Sequence, residues 1–219
     1  MEKQELKHFD SQNIRTFGRR HGKKLSLRKQ WLMENLLPKI APKTDESGAI
    51  LEIGFGNGEH LRELAIQNTD KIIIGAEPFA NGVAALLSAI TNESDNNVLN
   101  EYKNIRVFND DVRLLLKDFK NIKFSEIWIL HPDPWPKARH EKRRLLNHKF
   151  LNLLSEHIEK NGKIIIGTDH WEYYDWIKEQ LKQTTLRIES TEIDTIKTRY
   201  QIKNKAGTDA PKYLVLSNQ

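Results

Sequence analysis

The sequence predicts an α/β fold in which a mostly parallel sheet lies between two layers of helices. Short, continuously apolar segments recur along the chain, and amphipathic or alanine- and leucine-rich segments of helical length separate them. Continuous apolar strands are typical of parallel sheets, because helices cover both faces of such a sheet. At 219 residues the chain is long enough for one domain with a full core and short for two.

The predicted elements begin after a polar, basic segment at residues 1–27, where Gly18 and Gly22 interrupt any helix. This segment is predicted to be an arm in front of a single domain at residues 28–219. The predicted helices are Leu27–Ile40, Glu59–Gln67, Asn81–Thr91, Val112–Phe119, Asn147–Glu159 and Trp171–Lys182. The predicted strands are Ala49–Ile53, Lys71–Glu77, Ile105–Phe108, Ser125–Leu130, Gly162–Thr168, Leu186–Ile193 and Tyr213–Leu216.

Positive charge is concentrated in two segments of a chain whose formal net charge is +5. Residues 1–30 hold nine Lys and Arg against three acidic residues, and residues 137–149 hold six against Glu141. Two basic segments on a nearly neutral body predict a surface for phosphate groups, of which nucleic acid is the natural source.

Composition excludes several classes of protein. No apolar run approaches the ~20 residues of a membrane span, and the N-terminus has no apolar signal segment. Without cysteine there is no disulfide, thiolate nucleophile or cysteine-ligated metal. These features predict a cytoplasmic protein that does not associate with a membrane. A monomer and a homodimer are both compatible with the sequence, and no obligatory protein partner is evident.

A glycine-rich loop closes the first strand and opens the next helix, with Gly54, Gly56 and Gly58 alternating. Glycines let the backbone turn tightly and approach a ligand without interference from Cβ. A dinucleotide fold has a third glycine three residues after the second, so that pyrophosphate lies at a helix N-terminus, but Glu59 stands there. With Glu52 on the other side, the loop favours a cationic ligand. S-adenosylmethionine has a sulfonium, an ammonium and no phosphate.

Two later strands also end in carboxylates. Glu77, 19 residues after Gly58, is placed to accept hydrogen bonds from ribose hydroxyls, as the same position does in NAD-binding folds. Asp110 follows the third strand and is placed to accept from an adenine amino group. Both residues are also compatible with helix capping or, for Glu77, with a solvated carboxylate, and Asp111 competes with Asp110 for the adenine.

The fourth strand leads into a rigid loop, His-Pro-Asp-Pro-Trp-Pro, and a dense basic segment. Asp133 is held between Pro132 and Pro134, each of which restricts its own φ, and Pro134 also keeps Asp133 out of helical geometry. Such a loop holds a carboxylate still beside basic side chains, and the pair Arg143 and Arg144 is expected to bind phosphates. Trp135 is expected either to stack on a base or to anchor the loop in the core.

Three motifs together resemble the bacterial tRNA (guanine-N7)-methyltransferase family: GFGNG, GAEP and HPDPWPKARHEKRR. Residues 15–23 also resemble the basic arm of that family, and the resemblance extends from about residue 15 to Tyr200. The glycine loop is shared by many methyltransferases, whereas the PDPWP segment with its basic continuation is highly specific. The resemblance implies a Rossmann-like class I methyltransferase fold, with a mostly parallel seven-stranded sheet between two helix layers and a basic N-terminal extension.

The same resemblance implies the activity and the site residues. The enzyme would transfer a methyl group from S-adenosylmethionine to N7 of a guanosine in tRNA. The implied cofactor-binding residues are Glu52, Gly54, Gly56, Gly58, Glu77, Asp110 and Asp133, the last also being the catalytic carboxylate. The implied substrate-binding residues are Lys137, Asp169, Thr198, Arg199, Tyr200 and Gln201. The family motif usually ends in Glu where this chain has Gln201, which keeps one acceptor but loses the charge.

The chemistry of N7 methylation fits a single positioned carboxylate. Guanine N7 has an in-plane lone pair, so no base has to remove a proton, and positioning is expected to supply most of the acceleration. Asp133 is expected to orient the guanine and stabilise its developing positive charge. The alternatives are a methyltransferase for an exocyclic amine, an NAD-linked dehydrogenase and a non-catalytic RNA-binding protein on the same fold. The PDPW order argues against the first alternative, Glu59 against the second and the intact glycine loop against the third.

Overall fold

The computed structural model describes residues 16–18, 20–193 and 211–218. Six helices are present in these ranges: α1 Leu27–Asn35, α2 Glu59–Gln67, α3 Ala80–Ala89, α4 Val112–Asp118, α5 His148–His157 and α6 Trp171–Leu181. The strands are β1 Ile50–Ile53, β2 Ile73–Ala76, β3 Ile105–Phe108, β4 Phe124–Leu130, β5 Ile158–Thr168, β6 Leu186–Ser190 and β7 Lys212–Asn218. Short 3₁₀ turns cover Leu37–Ile40, Asn100–Tyr102 and Ala138–Arg143.

The seven strands form one sheet in the order β3-β2-β1-β4-β5-β7-β6. Strands β1 to β5 pair in parallel, and β7 pairs antiparallel with both β5 and β6. The predicted mostly parallel, seven-stranded sheet is therefore confirmed. The strand order reverses between β1 and β4, and in open sheets of this kind the ligand crevice lies at that point, outside the carboxyl ends of the strands.

Two helix layers cover the sheet. Helices α1, α2 and α3 pack on one face through Leu32, Leu61, Leu86 and their neighbours. Helices α4, α5 and α6 pack on the other face, where Leu116, Leu151 and related side chains meet the sheet. Because both faces are covered, the strands carry apolar side chains on both sides, which explains their continuously apolar sequences.

Several element boundaries differ from the predicted ones, and two of the differences have clear local reasons. The first helix ends at Asn35 and continues only as a 3₁₀ turn, because Pro38 cannot donate a helical hydrogen bond and disfavours helical geometry at Leu37. Strand β5 begins at Ile158, directly after α5 and four residues before the predicted start. The polar residues at 159–161 and a register shift against β4 hide this extension from the hydrophobic pattern.

The described part of the N-terminal arm packs on the domain beside the carboxyl ends of the strands. The Thr16 hydroxyl donates to Asp111, the Arg20 carbonyl accepts from the Ala80 N–H, and Asn81 bonds the backbone of Gly22 and Lys23. The arm therefore reaches the same edge of the sheet as the glycine loop. Among the helices in the described ranges, none combines the length and apolar character required of a membrane span.

Candidate functional site

A cavity of about 420 Å³ opens at the carboxyl ends of the strands, where the strand order reverses. Its volume lies in the range of small-molecule sites. The glycine loop, the end of β2, the loop after β4 and the N-terminal arm all contribute to its wall. Of the predicted cofactor residues, Gly54, Glu77 and Asp133 line it directly. The structure therefore brings together residues that are far apart in the sequence.

The glycine loop has a backbone that side chains rarely adopt. Gly54, Gly56 and Gly58 all have positive φ, at 75°, 57° and 74°. The space that a Cβ would occupy at Gly54 and Gly56 is empty, whereas a Cβ at Gly58 would approach Leu86 Cδ1 at 2.6 Å. On the opposite side, a Cβ at Gly82 of α3 would collide with the Gly56 carbonyl. The first two glycines thus leave room for a ligand, and Gly58 and Gly82 let the helices pack closely behind the loop.

Glu77 connects the glycine loop to the start of α3. One carboxylate oxygen accepts from the Gly56 N–H at 2.9 Å and the other from the Phe79 N–H at 2.8 Å. Burial raises the pKa of Glu77 above its ordinary value, the two backbone hydrogen bonds oppose that change, and the nearby carboxylates of Glu52 and Asp133 raise the pKa further. Each carboxylate oxygen has a second lone pair, so Glu77 retains capacity to accept from a ligand.

Glu52 lies in the core under the loop and does not line the cavity. It is 3% exposed, and its carboxylate is 3.3 Å from Nδ1 of His60 on α2. The His60 ring packs against Trp128 of β4, with ring centroids 4.8 Å apart. Glu52 therefore adds negative charge below the cavity, close enough to Glu77 to affect its pKa.

Asp110 and Asp111 have different surroundings. Asp111 is the N-cap of α4, where it accepts from the Arg113 backbone, and it also accepts from the Thr16 hydroxyl and the Arg113 guanidinium. These bonds, led by Arg113, outweigh its burial and lower the pKa of Asp111. Asp110 is about one-third exposed and forms an ion pair with Arg20 of the arm at 2.5 Å. The capping alternative thus applies to Asp111, while Asp110 as the adenine acceptor stays a prediction, with Arg20 as its present partner.

The loop after β4 has a strained backbone. His131 and Trp135 have φ values of 50° and 43°, which are uncommon for residues with a side chain and are found at functional sites. Asp133 is exposed toward the cavity. Its position depends on the loop backbone, because the flanking prolines offer no N–H groups for hydrogen bonds.

The guanidinium of Arg144 holds this loop from the inside. It donates to the carbonyl oxygens of Pro134 at 2.9 Å and Trp135 at 3.4 Å. It also lies 5.5 Å and 4.9 Å from the ring centroids of Tyr173 and Trp176 on α6. Because Arg144 is 5% exposed, the prediction that it binds phosphates is wrong. The sequence contained one signal of this role, since Tyr173 and Trp176 lie on one face of α6 at i, i+3 spacing.

The remaining predicted substrate residues lie around the rim or outside the described ranges. Lys137 is exposed and precedes the 3₁₀ turn at Ala138–Arg143. Asp169 follows β5, with its carboxylate 3.6 Å from Nδ1 of His131, which lines the cavity. Thr198, Arg199, Tyr200 and Gln201 lie outside the residues that the structure describes, so their roles stay predictions. Thr16 and Phe17 of the arm also line the same cavity, and nothing in their local sequence indicates it.

The described residues contain no group of three or more His, Cys, Asp or Glu side chains placed to hold a metal ion. The charged lining of the cavity consists of the carboxylates of Glu77, Asp111 and Asp133 and the basic side chains at 142–144 and Arg113. Such a cavity suits a ligand that carries positive charge and a substrate that carries phosphate.

Comparison with solved structures supports the fold. An antibiotic-related methyltransferase superposes with a TM-score of 0.55 at 16% identity, covering 90% of this chain and 97% of that chain. The 16S rRNA methyltransferase KamB superposes with a TM-score of 0.53 at 11% identity, covering 90% of this chain. At these identities the likeness establishes a shared methyltransferase fold alone.

Comparison of sequences identifies the family. A family model described as "Putative methyltransferase" matches residues 46–210. The tRNA (guanine-N(7)-)-methyltransferase of Neorickettsia sennetsu is 36% identical over 193 residues, covering 88% of this chain and 86% of the relative. The enzyme of the same name from Caulobacter vibrioides is 33% identical over 219 residues, covering 92% and 93%. With matches of this extent on both chains, the protein belongs to the bacterial tRNA (guanine-N7)-methyltransferase family.

Proposed function

We propose that the protein transfers a methyl group from S-adenosylmethionine to N7 of a guanosine in tRNA. The observation that carries this proposal is the shared cavity at the sheet edge. There Gly54 and Glu77, which suit a cationic cofactor, face Asp133, which suits a purine. The names of the curated relatives agree with this reaction.

The chain's own residues fit the cofactor. The open space above Gly54 and Gly56 allows close approach of a ligand, and the carboxylates of Glu52, Glu77 and Asp133 give this end of the cavity negative charge. Glu77 keeps free lone pairs for ribose hydroxyls. When bound, the cofactor supplies an activated methyl group on a positively charged sulphur. Glu59 in the first turn of α2 leaves the helix N-terminus poorly suited to the pyrophosphate of a dinucleotide.

Asp133 acts on the guanine by orientation and charge. Its carboxylate accepts from N1–H and the exocyclic amino group, which fixes the ring with N7 directed at the methyl group. With the cofactor held by Gly54 and Glu77, the N7 lone pair would take up the methyl group in a new N–C bond, the electron pair of the broken S–C bond would stay with the cofactor, and the positive charge would pass to the guanine ring. A fixed carboxylate next to that ring stabilises the charge as it develops. No proton is removed before attack, so Asp133 does not act as a general base.

The substrate is held by the basic rim. Lys137, Arg139 and Lys142 are exposed at the 3₁₀ turn beside the cavity, and Arg20, about half exposed, lies in the arm close to its cavity-lining residues 16–18. Phosphate contacts of this kind give tRNA affinity that falls steeply as salt rises. We propose that the enzyme acts in the cytoplasm as a monomer or homodimer, without an obligatory protein partner, and that Asp169 and residues 198–201 contribute to substrate binding.

The direct test is transfer of labelled methyl groups to bulk tRNA, followed by nucleoside analysis. Purified protein is expected to place the label in 7-methylguanosine. Label found only in N6-methyladenosine, or only in protein, would contradict the proposed reaction. The variant Asp133→Ala provides the control for trace contaminating methyltransferases, since it is expected to yield almost no labelled nucleoside.

The raised pKa of Glu77 leads to a pH dependence of cofactor binding. The folded apoprotein holds this proton more tightly than the unfolded chain, so its stability falls as pH rises from the ordinary carboxyl pKa through the raised value. A cationic ligand, in contrast, binds the ionised carboxylate of Glu77 more tightly than the protonated one. Affinity for S-adenosylmethionine is therefore expected to rise with pH across this window, with release of a proton on binding.

Titration calorimetry from about pH 5 to about pH 8 in two buffers of different ionisation enthalpy measures both effects. Glu77→Gln is expected to weaken binding and to remove the pH dependence and the proton release. Glu63→Gln, an exposed position on α2, is the matched control and is expected to behave as wild type. An unchanged pH dependence in Glu77→Gln would assign the proton to another group.

A further inference from the structure

Adjacent arginines in the basic segment have opposite environments. Arg144 is buried and donates to the loop carbonyl oxygens of Pro134 and Trp135. The Arg143 guanidinium instead lies over two aromatic rings, 5.0 Å from the ring centroid of Trp135 and 5.6 Å from that of Phe17. Its Nε is buried and has no hydrogen-bond partner among the described residues. A buried guanidinium nitrogen without a partner is costly, so Arg143 is poorly satisfied where it lies.

The two rings come from different parts of the chain and meet at the cavity. Phe17 belongs to the N-terminal arm, and Trp135 follows Asp133 by two residues in the strained loop. Trp135 is also held edge-on by His140, with ring centroids 5.7 Å apart. Its strained φ of 43° therefore serves to present the ring to the cavity beside the candidate catalytic carboxylate.

We propose that Phe17 and Trp135 form the two faces of the guanine site, that this site prefers the positively charged 7-methylated ring, and that Arg143 occupies it as a placeholder until RNA binds. The inference rests on the proposed function and deepens it, because it names the residues that bind the purine. Of the two expectations for Trp135, it adopts base stacking.

The physical reason is the match between a guanidinium and a methylated guanine. Both are planar cations, and aromatic faces attract planar cations through the ring quadrupole. The guanine ring becomes positive as the new N–C bond forms, so rings that hold Arg143 in the resting protein stabilise the same charge during transfer. Arg143 and a charged purine repel each other, and the side chain must leave as the base enters.

The departing Arg143 has a better partner in the substrate. Guanidinium groups bind phosphate in bidentate, charge-assisted hydrogen bonds, which are stronger than contacts with an aromatic face. Arg143 also lies among Lys137, Arg139 and Lys142, and the pKa of His140 is lowered by burial and by these four cations. Phosphate therefore relieves both the unpartnered Nε and the local repulsion. The base therefore enters the site as Arg143 leaves it and binds a phosphate of the RNA backbone.

A nucleotide-binding experiment tests the site separately from turnover. The probes are 7-methylguanosine 5′-monophosphate and guanosine 5′-monophosphate, with tryptophan fluorescence as the readout. The wild-type protein is expected to bind the methylated nucleotide about three- to tenfold more tightly, the range that a cation–π contact supplies. Phe17→Leu is expected to lose most of this preference. Trp31→Leu, at an exposed tryptophan of α1, is the control and is expected to retain it.

The variant Arg143→Met distinguishes the placeholder role of Arg143 from the role of an ordinary phosphate ligand. Its removal is expected to tighten binding of the nucleoside 7-methylguanosine severalfold, because competition for the rings is gone and this probe has no phosphate for Arg143 to bind, while the KM for tRNA rises. Phe17→Leu is expected to lower kcat with little change in KM. Thermal unfolding of each variant checks that the fold persists. Phe17 is replaced and not Trp135, because a substitution at Trp135 would also disturb the strained loop backbone.

The outcomes are distinguishable. If the wild-type protein produces 7-methylguanosine in tRNA but binds both nucleotides equally, and Phe17→Leu leaves kcat unchanged, the aromatic site is wrong and the proposed function stands. If Arg143→Met weakens binding of the nucleoside 7-methylguanosine, Arg143 is part of the site and not its placeholder. If no 7-methylguanosine is formed at all, the proposed function fails, and this inference fails with it.

Discussion

Replacing Asp133 by asparagine is expected to lower kcat for tRNA methylation by about 10²- to 10³-fold, the usual effect of removing one charge-stabilising group from an active site. Asparagine keeps the size of the side chain and one acceptor oxygen. It loses the negative charge and presents an NH₂ group, which opposes the N1–H and amino donors of guanine. The loop geometry is unaffected, because the adjacent prolines and Arg144 hold it through the backbone.

Cofactor affinity separates the two roles assigned to Asp133. If the carboxylate acts on the guanine, the dissociation constant for S-adenosylmethionine is expected to change by no more than about threefold, because Glu77 and Glu52 still provide negative charge. Single-turnover kinetics and calorimetry measure the two quantities. Asp118→Asn, an exposed carboxylate at the end of α4, is the matched control. Loss of cofactor binding in Asp133→Asn would instead assign this residue to the cofactor.

Replacing Arg144 by methionine is expected to reduce both stability and turnover. Methionine fills the volume of the arginine stem but leaves the carbonyl oxygens of Pro134 and Trp135 without their donor. The expected loss in the free energy of unfolding is about 2–4 kcal/mol, measured by denaturant titration. Displacement of the loop by about 1 Å is expected to lower kcat by up to about 10²-fold, because Asp133 moves with it.

Measurement of tRNA binding distinguishes a structural role of Arg144 from a role in binding phosphate. Because Arg144 is buried, its replacement is expected to leave the salt dependence of tRNA binding unchanged. Arg139→Met, at an exposed position of the same turn, is expected to reduce the slope of log K against log salt by about 1 without loss of stability. A reduced slope in Arg144→Met would show that this side chain reaches the RNA after all.

The sheet edge was largely predictable, because its signals are local. Apolar runs predict parallel strands, and a residue that follows such a strand must lie at the carboxyl edge. This reasoning is sufficient to bring Gly54, Glu77 and Asp133 to one end of the sheet. The boundaries of β5 were less predictable, since polar residues at 159–161 interrupt its pattern at a bulge, where Phe124 pairs with Ile158 and Glu126 pairs next with Lys163.

The sequence did not distinguish the roles of neighbouring residues of the same chemical type. Asp110 and Asp111 both follow β3, and only the structure shows that Asp111 caps α4 while Asp110 pairs with Arg20. Likewise Arg143 and Arg144 look alike in a basic segment. One lies over Phe17 and Trp135, and the other is enclosed by α6. The difference depends on which surface each side chain meets, and that is a property of packing.

By itself the sequence determined the class of fold, the glycine loop, the carboxylates at the strand ends and the proline-framed aspartate. These follow from backbone preferences and hydrophobic periodicity, which act over a few residues. The tertiary structure decided what the N-terminal arm covers, which arginine supports the loop and which ring faces the cavity. Those features depend on contacts between separate segments, such as Thr16 with Asp111 and Arg144 with Trp176, and local sequence carries no information about such pairings.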